Sequence, residues 1–134
     1  MGRTEWVKSH FGTGGHDMSD CLFCKIVEGK VPCSKVYEDD EVLAFKDINP
    51  QAPIHYLFIS KEHFSSLVDV KSENMVIISK IFSALTHVAN KEGLSGEGYR
   101  IVINVGKNGG QIVYHLHVHL MGGRPLGGTL VPKV

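Results

Sequence analysis

Seven consecutive residues, Tyr114 to Leu120, alternate strictly between apolar or aromatic side chains and histidines. Successive side chains of a β-strand point to opposite faces, so the alternation predicts a strand over Val113 to Met121. Three imidazoles, those of His115, His117 and His119, would lie on one face of it, with neighbours about 6.8 Å apart. The other face would seal against the core, so any fold for this chain has to bury one side of the strand and present the other to a site.

The remaining patterns supply elements for such a fold. A short helix is predicted over Cys21 to Val27, capped by Ser19-Asp20 and closed by Gly29. Apolar residues at helical spacing predict a long helix from an N-cap at Ser72 to Gly93. The predicted strands are Lys35–Glu38, Val42–Phe45, Ile54–Ser60, Tyr99–Val105 and Val113–Met121. This order of elements predicts an α+β domain with a mainly antiparallel sheet of about five strands.

Size and charge exclude several classes of protein. A chain of 134 residues with 43% hydrophobic residues can form one domain with its own core. Basic and acidic residues number 14 each, so no global field attracts a nucleic acid or an anionic membrane. No apolar run is long enough for a membrane span or a signal peptide. Three cysteines argue against a disulfide framework, and a cytoplasmic location is expected.

The N-terminal segment differs in composition from the rest. Residues 1–18 are rich in Gly, Ser and His and show no period, which predicts a disordered extension before a domain over residues 19–134. We expect no function for His10 and His16, which lie in this extension.

The histidine strand is suited to phosphate chemistry. Imidazole has an unperturbed pKa near 6.5, so it can act near neutrality as a nucleophile, an acid or a hydrogen-bond donor. The preceding loop contains Gly106, Gly109 and Gly110, which allow backbone N–H groups to approach an anion closely. A single histidine in a strand is usually structural, whereas three on one face after a glycine loop favour a phosphate or metal site.

The pair Cys21 and Cys24 is a second constellation. Residues three apart share a helix face, so both sulfurs can converge on one ion, and thiolates are preferred ligands of zinc. Two free thiols packed as small hydrophobes and a redox pair are the other interpretations. Cys33 has no evident partner, and His87 is expected at the surface of the long helix.

The histidine run and several other segments of the chain resemble the histidine triad family. The run His115-Leu116-His117-Val118-His119-Leu120 matches its pattern of histidines alternating with apolar residues. The segments 47–55, 98–100, 109–111 and 122–126 are similar to the bacterial-type Hint branch in order and spacing, and the likeness covers about residues 20 to 126.

The resemblance implies an α+β fold that forms a homodimer through the long helix and one strand. It also implies hydrolysis of purine nucleoside phosphoramidates to AMP or GMP and an amine. His117 would attack the α-phosphorus and form a nucleotidyl-histidine, which water then hydrolyses. His119 would hydrogen-bond the phosphate, while His55 and His115 would orient the site.

The resemblance further implies a nucleotide pocket and a metal site. Asp47 would bind the ribose hydroxyls, and Phe45 and Ile48 would line the base pocket. The phosphate and leaving group would be contacted from the loop before the triad, by Asn104, Gly110, Gln111 and Val113. A structural zinc ion would be held by Cys21, Cys24, His63 and His115.

The chain departs from the family in two places. Ile112 stands where some Hint proteins have a serine that assists the leaving group, and the C-terminal tail lacks the tryptophan of the animal branch. Leaving-group preference is therefore open.

Two rival functions are also open at this point. One is a metallohydrolase in which His115, His117 and His119 hold a catalytic zinc. The other is a nucleotide-binding scaffold or sensor with little catalysis.

Overall fold

The fold, in a computed structural model that describes residues 20–128, is the predicted α+β arrangement. The helices are α1 (Leu22–Val27) and α2 (Val76–Lys91), with short 3-10 turns at Leu67–Asp69 and Ser72–Asn74. The strands are β1 (Lys35–Glu38), β2 (Val42–Lys46), β3 (Ile54–Ser60), β4 (Arg100–Val102) and β5 (His117–Gly122). The predicted extension over residues 1–18 lies outside the described residues, as do His10 and His16.

The five strands form one antiparallel sheet in the order β1-β2-β3-β5-β4. Strands β3 and β5 are central, and their register places Leu57 opposite His119 and Ile59 opposite His117. On the outer side of β5, Val102 of β4 lies opposite His119. Residues from distant parts of the chain are thereby brought to one face of the sheet.

The two faces of the sheet are covered differently. One face packs against the apolar side of α2 and forms the larger core; Phe58, Val118 and Leu120 lie there. The opposite face carries His117 and His119, and α1 covers only part of it, forming a smaller core. None of the helices within residues 20–128 is long and apolar enough to cross a membrane.

Both helices end as predicted. Gly29 follows α1 with φ of 80° and Gly93 follows α2 with φ of 77°, values that favour glycine because it has no Cβ. After α2, the N–H of Gly93 donates to the Asn90 carbonyl and that of Leu94 donates to the Ala89 carbonyl. These bonds satisfy carbonyls that the helix end leaves open.

Both predicted N-caps are wrong. Helix α1 is capped by Cys21, whose sulfur accepts a hydrogen bond from the Cys24 N–H, and not by Asp20 as predicted; Ser19 lies outside the described residues. Ser72 begins a 3-10 turn, and α2 starts one turn later, after Met75 and without a side-chain cap. The 3-10 turn has no side-chain cap either, so a serine before an apolar helical stretch does not by itself mark an N-cap.

Strands β4 and β5 are shorter than the predicted Tyr99–Val105 and Val113–Met121. Strand β5 begins only at His117, since the Leu116 N–H donates to the Phe64 carbonyl at 2.7 Å instead of joining the ladder. His115 therefore precedes the strand.

Candidate functional site

The three histidines of the motif divide between two sites. His117 and His119 lie on the same face of β5, with ring centroids 5.1 Å apart. The side chain of His115 is directed instead to the N-terminal helix, where its Nδ1 lies 3.2 Å from the sulfur of Cys21. The prediction of three imidazoles on one strand face is wrong, because His115 lies outside the strand.

The tautomer of His117 is set by the backbone. Its Nδ1–H donates to the carbonyl oxygen of His115 at 2.7 Å. A carbonyl oxygen only accepts, so we assign the ring proton to Nδ1 and the lone pair to Nε2. His117 is buried, and the ring of Phe23 packs edge-on against it with centroids 5.2 Å apart. A neutral imidazole with its lone pair on Nε2 is the form that a nucleophile requires.

His119 has the opposite tautomer. The Gln51 N–H donates to Nδ1 of His55 at 3.0 Å, so His55 carries its proton on Nε2. That Nε2 lies 2.9 Å from Nδ1 of His119 and donates to it, which leaves the proton of His119 on Nε2. The Asp47 carboxylate lies 3.4 Å from the same His55 Nε2. His119 is therefore built as a hydrogen-bond donor beside the His117 lone pair.

An open cleft of about 480 Å³ lies over this part of the sheet. Its described lining includes two arginines and two histidines but no carboxylate: Gln51, His55, Arg100, Val102, Asn104, His119, Met121, Arg124 and Leu126. The cleft is therefore suited to an anion. The sequence had singled out His55, Asn104 and His119 among these residues.

The other predicted nucleotide contacts, like His117, are not among the residues that line this cleft. Phe45 and Asp47 are buried, whereas Ile48 is 52% exposed. The side chain of Gln111 braces the glycine loop: Oε1 accepts from the Gly106 N–H, and Nε2 donates to the carbonyls of Ser65 and Val113. Asn104 donates to the Gly109 carbonyl at 2.8 Å. Gly109 itself has no room for a Cβ, which would lie 2.4 Å from the Val105 carbonyl oxygen.

The four predicted metal ligands meet in one cluster. The sulfur of Cys24 lies 3.2 Å from Nδ1 of His63 and 3.5 Å from Nδ1 of His115. The two Nδ1 atoms are 3.2 Å apart, and all four ligand atoms lie within 4.8 Å of one another. Zn–S bonds of about 2.3 Å and Zn–N bonds of about 2.0 Å give a tetrahedron with edges of about 3.3 to 3.8 Å. The observed distances fit that tetrahedron closely.

The protonation of the cluster also fits zinc. His115 Nε2–H donates to the Ser60 carbonyl at 2.6 Å, so its Nδ1 presents a lone pair to the other three ligands. Burial lowers the pKa of His115 to about 3, which keeps it neutral. Burial raises the pKa of Cys21, and burial together with the neighbouring Cys21 raises that of Cys24 to about 12. Both thiols need a cation beside them to ionise at neutral pH.

The comparison with known proteins agrees with this geometry. The model of the HIT domain family matches residues 28–126, which contain both central strands and the histidine run. The chain belongs to the HIT family. The predicted resemblance is confirmed.

Three HIT relatives place the chain within the family. Purine nucleoside phosphoramidase of Escherichia coli K12 is 41% identical over 114 residues, 85% of this chain and 96% of that protein. A 14 kDa zinc-binding protein of Zea mays is 46% identical over 112 residues, 82% of this chain and 87% of that protein. The structure of a histidine triad protein from Clostridium difficile has a TM-score of 0.81 and 45% identity, and the match covers 83% of this chain and 96% of that one.

The structure adds HIT-site residues that the sequence did not indicate. Phe23 contacts His115 and His117, and the Ser60 carbonyl fixes the tautomer of His115. Arg100 reaches the cleft because β4 pairs with β5, and this pairing is not visible from local patterns. For Phe23 a signal did exist, since it lies between the two cysteines of a helix that must bury one face.

The geometry also removes one rival function. A catalytic zinc on His115, His117 and His119 would need all three imidazoles to converge, but both nitrogens of His115 face other groups. The Asp47, His55 and His119 side chains do lie within 4.8 Å of one another. Both nitrogens of His55 are engaged in hydrogen bonds there, so His55 offers no lone pair to an ion in this tautomer.

Proposed function

We propose that this HIT protein hydrolyses purine nucleoside 5′-phosphoramidates, such as adenosine 5′-monophosphoramidate, to a nucleoside monophosphate and an amine. Aminoacyl-adenylate-type substrates, in which an acyl P–O bond replaces the P–N bond, would release a carboxylate in the same way. The observation that carries the proposal is the hydrogen bond from His117 Nδ1–H to the His115 carbonyl, which leaves the lone pair on Nε2. The name of the Escherichia coli relative supports the substrate class.

The reaction proceeds in two displacements at phosphorus. His117 Nε2 attacks the α-phosphorus, the P–N bond breaks, and the amine leaves with a proton supplied from the site or solvent. Water then attacks the same phosphorus, the bond to Nε2 breaks, and the water proton is released with the monophosphate. Two such steps replace one more difficult displacement.

The neighbouring side chains support these steps electrostatically. His119 Nε2–H donates to a phosphoryl oxygen, whose negative charge grows as the nucleophile attacks. His55 holds that proton in place through His119 Nδ1. Arg100 and Arg124 add positive charge to the cleft that receives the phosphate.

The nucleotide contacts follow the family pattern. Phe45 and Ile48 line the base pocket, and Asp47 binds the ribose hydroxyls. The backbone and side chains of Asn104, Gly110, Gln111 and Val113 contact the phosphate or the leaving group, with Gln111 also bracing the loop.

Two further features belong to the proposal. Cys21, Cys24, His63 and His115 hold a structural zinc ion, which cross-links α1 to the strand region when bound. The protein forms a homodimer through α2 and the edge strand β4. The tetrahedral spacing of the ligands and the zinc-binding relative support the first feature.

Hydrolysis of adenosine 5′-phosphoramidate tests the proposal. The purified protein should release AMP, His117→Ala should release none above background, and the surface variant His87→Ala should match the wild type. Rapid acid quenching followed by mass spectrometry should show AMP bound to wild-type protein. Equal release by His117→Ala would remove His117 from its role. Binding of AMP without turnover by the wild type would favour a nucleotide-binding module.

A further inference from the structure

His115 connects the thiol cluster, formed by Cys21, Cys24, His63 and His115 itself, to His117. Its side chain lies between the sulfurs of Cys21 and Cys24 and the Ser60 carbonyl, and its own carbonyl accepts the proton of His117 Nδ1. The pairing of β5 with β3 begins at His117, so the ladder does not hold the His115 backbone. Two sets of contacts fix the direction of the carbonyl on which the His117 tautomer depends. One is the hydrogen bond from the Leu116 N–H, in the same planar peptide unit, to the Phe64 carbonyl, and the other is the set of His115 side-chain contacts.

Helix α1 also contacts His117 directly, through the side chain of Phe23. This residue lies between Cys21 and Cys24 in the chain and is fully buried. Its ring meets that of His117 edge-on at 5.2 Å and 85°, and that of His115 at 5.9 Å and 65°. The Cys24 thiol and the Phe23 ring thus come from one helix of six residues, and the Cys21 thiol comes from its N-cap.

A helix this short has little stability of its own, so its position depends on its side-chain contacts. Those contacts are the smaller core and the thiol–imidazole cluster. A displacement of Phe23 would act on the ring of His117 directly, and a displacement of the cluster would act on it through His115.

We propose that α1 positions the nucleophile: the thiols, acting through His115, and Phe23, acting on the ring, hold His117 with its lone pair directed at the substrate. The proposal rests on the hydrolase function proposed above. Phe23 and His115 are positioning residues in this scheme, since neither exchanges a bond with the substrate. Substitutions that loosen α1 should lower kcat about 10- to 100-fold, the range typical for the shell behind a functional ligand.

Two matched pairs of variants test this. Cys24→Ser removes one thiol of the cluster, and Cys33→Ser makes the same change at the half-buried third cysteine, outside the cluster. Phe23→Leu removes the edge contact, and Phe58→Leu makes the same volume change in the core on the opposite sheet face. Phe23→Leu leaves every thiol in place, so it tests the proposal even where Cys24→Ser does not fold.

Two measurements distinguish a loss of His117 positioning from a loss of protein stability. The first is kcat and KM for adenosine 5′-phosphoramidate at a temperature where circular dichroism shows each variant folded. The second is the ¹⁵N spectrum of the His117 imidazole, which reports whether the proton stays on Nδ1. We expect Cys24→Ser and Phe23→Leu to lose kcat with a smaller change in KM and to show a mixed tautomer. Cys33→Ser and Phe58→Leu should keep the wild-type spectrum and kcat.

The outcomes distinguish the two proposals. Wild-type kcat and a pure Nδ1–H tautomer in folded Cys24→Ser and Phe23→Leu would overturn the positioning role while leaving the hydrolase intact. An inactive wild-type protein would refute the hydrolase, and the spectrum would then still show whether α1 sets the tautomer.

Discussion

Neighbouring histidines of one strand are prepared for different chemistry by their hydrogen bonds. His117 is held by a carbonyl acceptor, so its lone pair is on Nε2. His119 is held by the donor His55, so its proton is on Nε2. A nucleophile and a hydrogen-bond donor therefore stand side by side, each fixed in its role by its hydrogen-bond partner.

Substitution of His55 by Ala should lower kcat about 10- to 100-fold, because His119 Nδ1 loses its donor and the ring can adopt the wrong tautomer. The loss should be smaller than that in His117→Ala, which removes the nucleophile itself. Steady-state kinetics with thermal unfolding as a check on folding measures this. A kcat equal to that of His87→Ala would show that His55 does not orient the site.

Addition of zinc to metal-free protein should release about two protons per ion at neutral pH, one from each buried thiol. The raised pKa values of Cys21 and Cys24 mean that both carry protons before the metal binds. Zinc affinity should accordingly increase with pH, since fewer protons must be displaced. Calorimetry in buffers of different ionisation enthalpy counts the protons. Binding without release in wild type, or equal release in Cys21→Ser, would contradict thiolate ligation.

At the scale of elements, the patterns of apolar residues and the positions of glycines predicted most of the fold. The bounds of β1 and β3 were predicted to the residue, and β2 was one residue longer than predicted. Strands β2 and β3 are buried over nearly their whole length, so a continuous apolar run marks them, whereas β1 has no buried residue. Gly29 and Gly93 marked the helix ends because only a residue that tolerates positive φ serves there.

The errors occur where a tertiary contact overrides a local pattern. The alternation continues through His115 and Leu116, but the thiol cluster takes the His115 side chain and Phe64 takes the Leu116 N–H. Ligand convergence at Cys21, Cys24, His63 and His115 was predicted from family resemblance, whereas composition alone left free thiols equally open. The Phe23 contact and the arginine-lined cleft depend on packing and strand pairing, which no local pattern specifies.

Gly93→Ala should lower the free energy of unfolding by about 1 kcal/mol, because alanine is strained at the positive φ that ends α2. Gly96→Ala is the matched control. Gly96 lies three residues further on, does not have positive φ, and has nothing within 4 Å of an added Cβ, so this change should stay within about 0.5 kcal/mol. Urea unfolding of both variants makes the comparison. Equal effects would mean that the φ at residue 93 is not the cause.

At the scale of the molecule, the sheet separates a stabilising side from a functional side. Helix α2 and the larger core lie on one face, and the histidines, the cleft and α1 lie on the other. The edge strand β4 is three residues long and exposes Ile101 to 38%. An exposed edge of this kind offers unpaired backbone groups to a second strand.

Ile101→Glu should convert the proposed homodimer to a monomer, since it places a charge at the pairing edge. Val68→Glu introduces the same charge at an apolar residue that is 68% exposed and belongs to the 3-10 turn Leu67–Asp69, not to β4 or α2, so it should leave the assembly unchanged. Sedimentation velocity measures both. A wild type that sediments as a monomer at all concentrations would refute dimerisation, and a dimeric Ile101→Glu would place the interface elsewhere.

The site lies on β3 and β5, each of which is bonded to a neighbour on both sides. Amide protons in such central strands exchange with solvent only when the whole domain opens. The amides of Leu57, Val118 and His119 should therefore belong to the slowest-exchanging class in deuterium oxide, while those of residues 106–110 exchange orders of magnitude faster. On heating, the strand backbone that carries His117 and His119 would then be lost only when the whole domain unfolds, so a loss of activity below that temperature would come from α1 and its contacts and not from the sheet.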